Sequence, residues 1–205
     1  MLKAANSYSL LAVISALLIL SQPVVGKDDG KLGGKTGMET VFSDALNVPG
    51  HVVLMRHALA PGTGDPSNFA LSDCRTQRNL SKAGRDQAVR IGQRLRALGL
   101  QAADVYSSQW CRCLDTARLL GLGEVKELSE LNSFFGRPGE REPSLKALRQ
   151  WLSRTTFETT AVLVTHQVTI TGLTDVYPGS GEMVLVKLLN NGDIAVIARL
   201  ETSAY

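Results

Sequence analysis

Two short apolar runs, HVVLM (51–55) and AVLVT (161–165), restrict what this chain can fold into more than any other feature. Neither run alternates polar with apolar residues. A strand that is apolar on both faces must be covered on both faces, as the central strands of a parallel sheet are. The segments between the runs follow the helical period instead. Ser81 is placed to cap a helix through Leu98, with Ala88, Ile91, Leu95 and Leu98 on its inner face and Gly99 just beyond its end. A second helix is expected from Trp110 to Leu120, with Leu114, Ala117 and Leu120 on one side. Pro143 suits the first turn of a third, whose inner residues are Leu145, Leu148, Trp151 and Leu152. A short fourth runs from about Gln167 to Leu173, and residues 39–47 suit a small helix ended by Pro49-Gly50. Two shorter strand signals, DVYSS (104–108) and EVKELSE (124–130), lie among them. EMVLVKLLNNGDIAVIARL (182–200) reads as a hairpin turning at Asn191-Gly192. This order predicts an α/β fold of three layers: a mostly parallel central sheet flanked by helices, with an antiparallel C-terminal edge hairpin.

With 205 residues, 44% hydrophobic and 20% charged, the chain has room for one domain of ordinary size. A net charge of +3 leaves no electrostatic footprint of a nucleic-acid binder. The N-terminus has a different character. Lys3 precedes an apolar stretch from Leu10 to Leu20, then come Ser21, Pro23 and the small residues up to Gly26. That stretch is short of the ~20 residues of a spanning helix and suits a secretory signal. The expected organisation is a signal peptide (1–26), a flexible Gly-rich linker (27–40) and one folded domain (41–205), exported and with no stable membrane insertion after cleavage. Three cysteines allow one disulfide, between Cys74 and either Cys111 or Cys113, or else three buried thiols.

Ligands of open α/β sheets bind beyond the carboxyl ends of the strands. Three segments bring polar residues to that edge. Arg56-His57 follow the first strand, SSQWCRCLDTA (107–117) places Arg112 in the first turn of a helix, and THQ (165–167) sets His166 and Gln167 at a strand end with a helix N-terminus behind them. Glu130 follows the third strand. Two arginines, two histidines and a helix N-terminus make an anion site suited to phosphate. Taken singly, each residue has a duller reading as a surface charge or a packed histidine; the conjunction carries the inference. The histidines do not form a metal site, because His51 and His57 stand at opposite ends of one strand, about 20 Å apart. No cofactor is implied.

Arg56-His57, Arg112 and His166, in this order and on these elements, resemble the histidine phosphatases of the phosphoglycerate mutase-like superfamily. The likeness runs from about His51 to Leu200. Ala58 replaces the glycine usual in that first motif, and an ordinary backbone conformation is expected there. The resemblance implies that residues 41–205 are a catalytic domain in which His57 takes up the phosphoryl group as a phosphohistidine. Arg56, Arg112, His166 and Gln167 would hold the phosphoryl oxygens, and Glu130 would serve as the general acid, with Asp65 or Asp73 as substitutes. Arg75 and Arg78, in the long loop 58–80, would meet a second anionic group on the substrate or remain solvated. A disulfide from Cys74 to Cys111 or Cys113 would tie that loop to the phosphate-binding helix. Exported members acting on phosphorylated lipopolysaccharide core sugars share the RHA motif and a signal segment. The expected function is an exported phosphomonoesterase, periplasmic or otherwise extracytoplasmic, acting on a small-molecule or glycan phosphate ester. The alternatives are a protein phosphohistidine phosphatase, a phosphomutase, or a non-catalytic module that binds phosphate or an anionic glycan.

Overall fold

The computed structural model of the protein describes residues 1, 37–46, 48–189 and 193–202. The chain divides into two units, Met1–Gly34 and Lys35–Tyr205, and the architecture below is that of the second. The expected signal peptide, residues 27–36 of the linker and the Asn191-Gly192 turn lie outside the described residues. Residues 37–40, also expected in the linker, are already helical.

The elements follow in the order α1 (Gly37–Ala45), β1 (His51–Arg56), α2 (Lys82–Ala97), β2 (Val105–Ser107), α3 (Cys111–Leu120), β3 (Val125–Glu127), α4 (Arg141–Arg154), β4 (Ala161–Thr165), α5 (Gln167–Thr174), β5 (Met183–Leu188) and β6 (Ile194–Leu200). The six strands form one sheet in the order β3-β2-β4-β1-β5-β6. The first four are mutually parallel, while β5 runs antiparallel to β1 and β6 antiparallel to β5. The expected three-layer fold with an antiparallel edge is therefore present.

The two apolar runs are the central neighbours β1 and β4, paired from Val52↔Ala161 to Arg56↔Thr165. Successive residues of β1 point to opposite faces. Val53 and Met55 join the core beneath α1, α2 and α3, with Phe42, Ile91, Leu95, Ala117 and Leu120. Val52 and Leu54 join the other core, with Leu145, Leu148 and Leu152 of α4 and Ile170 and Leu173 of α5. Full burial on both faces explains why these strands show no alternation.

Local signals set the helix ends. Ser81 Oγ accepts from the Gly84 N–H at 3.0 Å at the start of α2. Gly99 takes φ +113° just after its end, a conformation that favours glycine. The third strand is shorter than EVKELSE suggested, ending at Glu127; a 3-10 turn, Ser129–Leu131, replaces its expected tail. Leu131 is the buried residue of that turn. Apolar burial there overrides strand continuation.

Candidate active site

The parallel register brings the ends of β1, β4 and β2 side by side. Arg56 pairs with Thr165, and Ser107 with Val164. Just beyond, the His57 N–H donates to Thr165 O at 3.0 Å and the Ser108 N–H to Val164 O at 2.9 Å. His57, Ser108 and His166 thus leave the sheet at one level. A cavity of about 420 Å³ opens over them, and Arg56, His57, Arg112, His166 and Gln167 all line it. The structure brings these five expected residues together.

His57 is 2% exposed. Its Nδ1 lies 2.8 Å from Ala58 O. A carbonyl only accepts, so Nδ1 carries the proton and Nε2 keeps its lone pair. Burial lowers the His57 pKa to about 3; the Ala58 carbonyl opposes that shift, and the guanidiniums of Arg112, Arg56 and Arg78 reinforce burial. The ring is therefore neutral across the physiological range. Ala58 has a negative φ, as expected, and its N–H donates to Thr116 Oγ1 at 3.0 Å. That bond ties the first motif to α3. The following loop rests on α2 so closely that a Cβ at Gly84 would lie 2.0 Å from Leu59 O, which leaves room for glycine alone.

His166 is also buried, and burial, reinforced by its electrostatic coupling to His57 and by the charges of the three arginines, lowers its pKa well below the ordinary value. Its Nε2 sits 2.8 Å from Ser108 Oγ, which in turn lies 3.2 Å from Asn132 Oδ1. Ser108 and Asn132 position the ring, a role the sequence reading did not assign. The doubled serine after a strand was the available signal for Ser108; Asn132 had none.

Arg112, 3% exposed, is held by Asp65 through a two-pronged pair, Nη1–Oδ1 at 2.7 Å and Nη2–Oδ2 at 3.2 Å. Trp110 Nε1–H and the Arg78 N–H also donate to the same carboxylate, each at 3.0 Å. Burial alone would raise the Asp65 pKa, but its bonds to Arg112, Arg78 and Trp110 outweigh that and lower it. Four donors hold Asp65 ionised, which leaves it a poor proton donor. Arg56 anchors through Nη1 to Pro178 O at 2.9 Å. The Nε atoms of Arg56 and Arg112 are buried without a hydrogen-bond partner. The guanidinium groups of Arg56 and Arg112, lining one cavity with a neutral imidazole, suit an oxyanion.

Two expected residues are not at the cavity. Glu130 lies on the 3-10 turn with Leu131 directed inward, and its carboxylate accepts from Ser129 Oγ at 2.9 Å. It does not line the cavity. Arg75 pairs with Asp73 at 2.9 Å, and its side chain is 90% exposed. That local pair at a 3-10 N-terminus turns both residues away from the site. Arg78 does line the cavity, its guanidinium donating to the carbonyls of Gly64 and Ala60.

Cys74 and Cys111 form a disulfide across 37 positions of sequence, joining the loop to the first turn of α3. Cys113 is a buried free thiol. Burial pushes its pKa up to about 12, so it is not a nucleophile. Further lining residues escaped the sequence reading: Phe69, stacked on Trp110 with ring centroids 5.1 Å apart, and Phe135, Ser133 and Arg137 from the segment before α4. Surface aromatics carry no sequence signal that separates a pocket wall from ordinary exposure.

A neutral, lone-pair-bearing histidine among buried arginines at the carboxyl edge of an α/β sheet is an arrangement suited to a phosphoryl group. Residues 52–136 match the histidine phosphatase superfamily, branch 1. No curated protein matched the chain. Among solved structures, the protein histidine phosphatase SixA in complex with tungstate is similar over 74% of this chain and 96% of its own, at 18% identity and a TM-score of 0.53. Mycobacterial hydrolase 1 aligns over 74% and 100%, at 16% identity and a TM-score of 0.56. A phosphoserine phosphatase from Entamoeba histolytica aligns over 75% and 98%, at 15% identity and a TM-score of 0.52. At these identities the structures establish the fold. The family match covers the segment from β1 to the turn before α4 and includes Arg56, His57 and Arg112.

Proposed function

We propose that the protein hydrolyses phosphate monoesters outside the cytoplasm through a phosphohistidine on His57. The observation that carries this reading is the fixed tautomer: Nδ1–H engaged by Ala58 O, and Nε2 left with its lone pair in a cavity lined by Arg56, Arg112 and His166. The Nε2 lone pair forms a bond to phosphorus while the bond from phosphorus to the leaving oxygen breaks, and that oxygen takes the electron pair. Arg56, Arg112 and the helix N-terminus at Gln167 offset charge on the equatorial oxygens. Water then attacks the phosphohistidine. The P–N bond breaks, orthophosphate leaves, and His57 returns to its neutral form.

Export is supported by the N-terminal apolar stretch, which has the length of a signal segment, and by the disulfide, which persists in oxidising compartments. Phosphorylated lipopolysaccharide core sugars, to which the RHA motif and that segment point, are one carrier to assay.

The test is phosphate release from 4-nitrophenyl phosphate by the purified protein and by His57→Ala. Turnover in the parent, reduced at least about 10⁴-fold in the variant, is expected for loss of a nucleophile. Absence of turnover with phosphate still bound would convert the reading to that of a binding module. Fractionation of cells producing the full chain tests export; a cytoplasmic pool with reduced cysteines would refute it.

A further inference from the structure

The part of the cavity beyond the phosphate pocket has a distinct composition. Trp110 and Phe69 are stacked at an interplanar angle of 20° and form one wall. Phe135 also lines the cavity, and its ring is 3.8 Å from the position a Cβ would take on Gly64, so it lies against the long loop. Phe135 is 54% exposed, an uncovered aromatic at the entrance of a polar site. At about 420 Å³, the cavity is far larger than a phosphoryl group needs.

Among the described residues that line it, Asp65 is the single carboxylate, and it is committed to Arg112, Trp110 and the Arg78 backbone. Glu182, a buried acid whose charge acts on Arg56, accepts from Arg199 and the Gly179 N–H and does not line the cavity. Both histidines are neutral. No lining group is placed to give a proton to a departing alkoxide.

We infer that Phe69, Trp110 and Phe135 form a subsite for a flat aromatic leaving group, so that the preferred substrates are aryl phosphates, whose phenolate departs without a proton from the enzyme. The inference rests on the phosphatase reading and names its substrate class. A phenol of pKa about 10 leaves as its anion far more readily than a sugar or glycerol hydroxyl, which needs an acid. In the step, the P–O(aryl) bond breaks, the phenolate carries off the electron pair, and it takes its proton from solvent after release.

The test uses the purified full chain with substituted phenyl phosphates that span a range of phenol acidity, with glycerol phosphate and a hexose phosphate beside them. We expect kcat/KM to fall by roughly fivefold to tenfold for each unit rise in leaving-group pKa. The two alkyl esters should lie at least about 100-fold below phenyl phosphate. Phe135→Ala should raise KM for phenyl phosphate roughly five- to twentyfold, while inhibition by inorganic phosphate, which fills only the phosphate pocket, changes by less than about twofold. Hexose phosphate turned over as well as phenyl phosphate, or a flat leaving-group dependence, would overturn the inference. So would a Phe135→Ala variant that weakens phenyl phosphate and inorganic phosphate equally. Failure of every ester to turn over would instead sink the phosphatase reading. Calorimetric binding of phenyl phosphate against inorganic phosphate, in parent and Phe135→Ala, then decides the subsite on its own: preference for the aryl ligand lost in the variant supports it, and equal binding refutes it.

Discussion

Arg56, His57 and His166 are fixed by the backbone just before them, at the ends of strands buried on both faces. Asp65, Arg78 and Trp110 owe their positions to contacts far apart in the chain: Asp65 meets Trp110 across 45 residues and Arg112 across 47. The first group stands on a rigid sheet edge, and the second belongs to a loop and its partner helix. The difference separates two tasks. The sheet edge sets Arg56 and the two histidines; the loop aims Arg112 and shapes the rest of the cavity through one carboxylate and one disulfide.

The strongest way to break this division is at Asp65. Asp65→Ala leaves the buried Arg112 guanidinium without its carboxylate, which is expected to destabilise the protein by about 2–4 kcal/mol and to lower kcat/KM by about 100-fold. Asp65→Asn keeps the shape and should fall between. Denaturant unfolding and steady-state rates check both; an Asp65→Ala variant as active as the parent would show that the loop does not aim Arg112.

Replacing the disulfide in Cys74→Ser/Cys111→Ser removes a cross-link closing 37 positions and is expected to lower stability by about 3–4 kcal/mol. KM should rise more than kcat falls, since His57 is held from the sheet. Non-reducing mass spectrometry of the parent should find one free thiol; three would remove the tether.

Acid should affect the sheet edge. His57 titrates near 6.5 when unfolded and at about 3 when folded, because burial disfavours its charge. Between those values the unfolded chain binds more protons, so stability is whole above about pH 6.5 and falls as pH drops toward 3. The slope reaches about 1.4 kcal/mol per pH unit for each histidine so held, and His166 adds in the same direction. His57→Ala should flatten the profile, as measured by unfolding from pH 7 to 4.

The smallest effect belongs to Glu130. Glu130→Gln should change kcat/KM by less than about twofold, since the side chain bonds to Ser129 and lies outside the cavity. A loss of 100-fold would restore Glu130 as the acid and contradict the proton-independent leaving group.

Local chemistry determined much of this molecule from the sequence alone. Apolar runs without alternation have to be central strands, Ser81 has to cap and Gly99 has to follow a helix, and residues that leave such strands have to gather at one edge. Arg56, His57, Arg112, His166 and Gln167 were legible for that reason. Loop packing has no comparable rule. Asp65 and Asp73 are both loop carboxylates, yet one pins Arg112 while the other caps a 3-10 turn and binds Arg75. Arg75 and Arg78 are three residues apart, and only Arg78 faces the cavity. Cys74 had two partners available, and the turn of α3 presents Cys111 to the loop while Cys113 faces the core. Tertiary structure alone decided these, because each depends on where a side chain finds its partner in space, and sequence fixes spacing only along the regular elements.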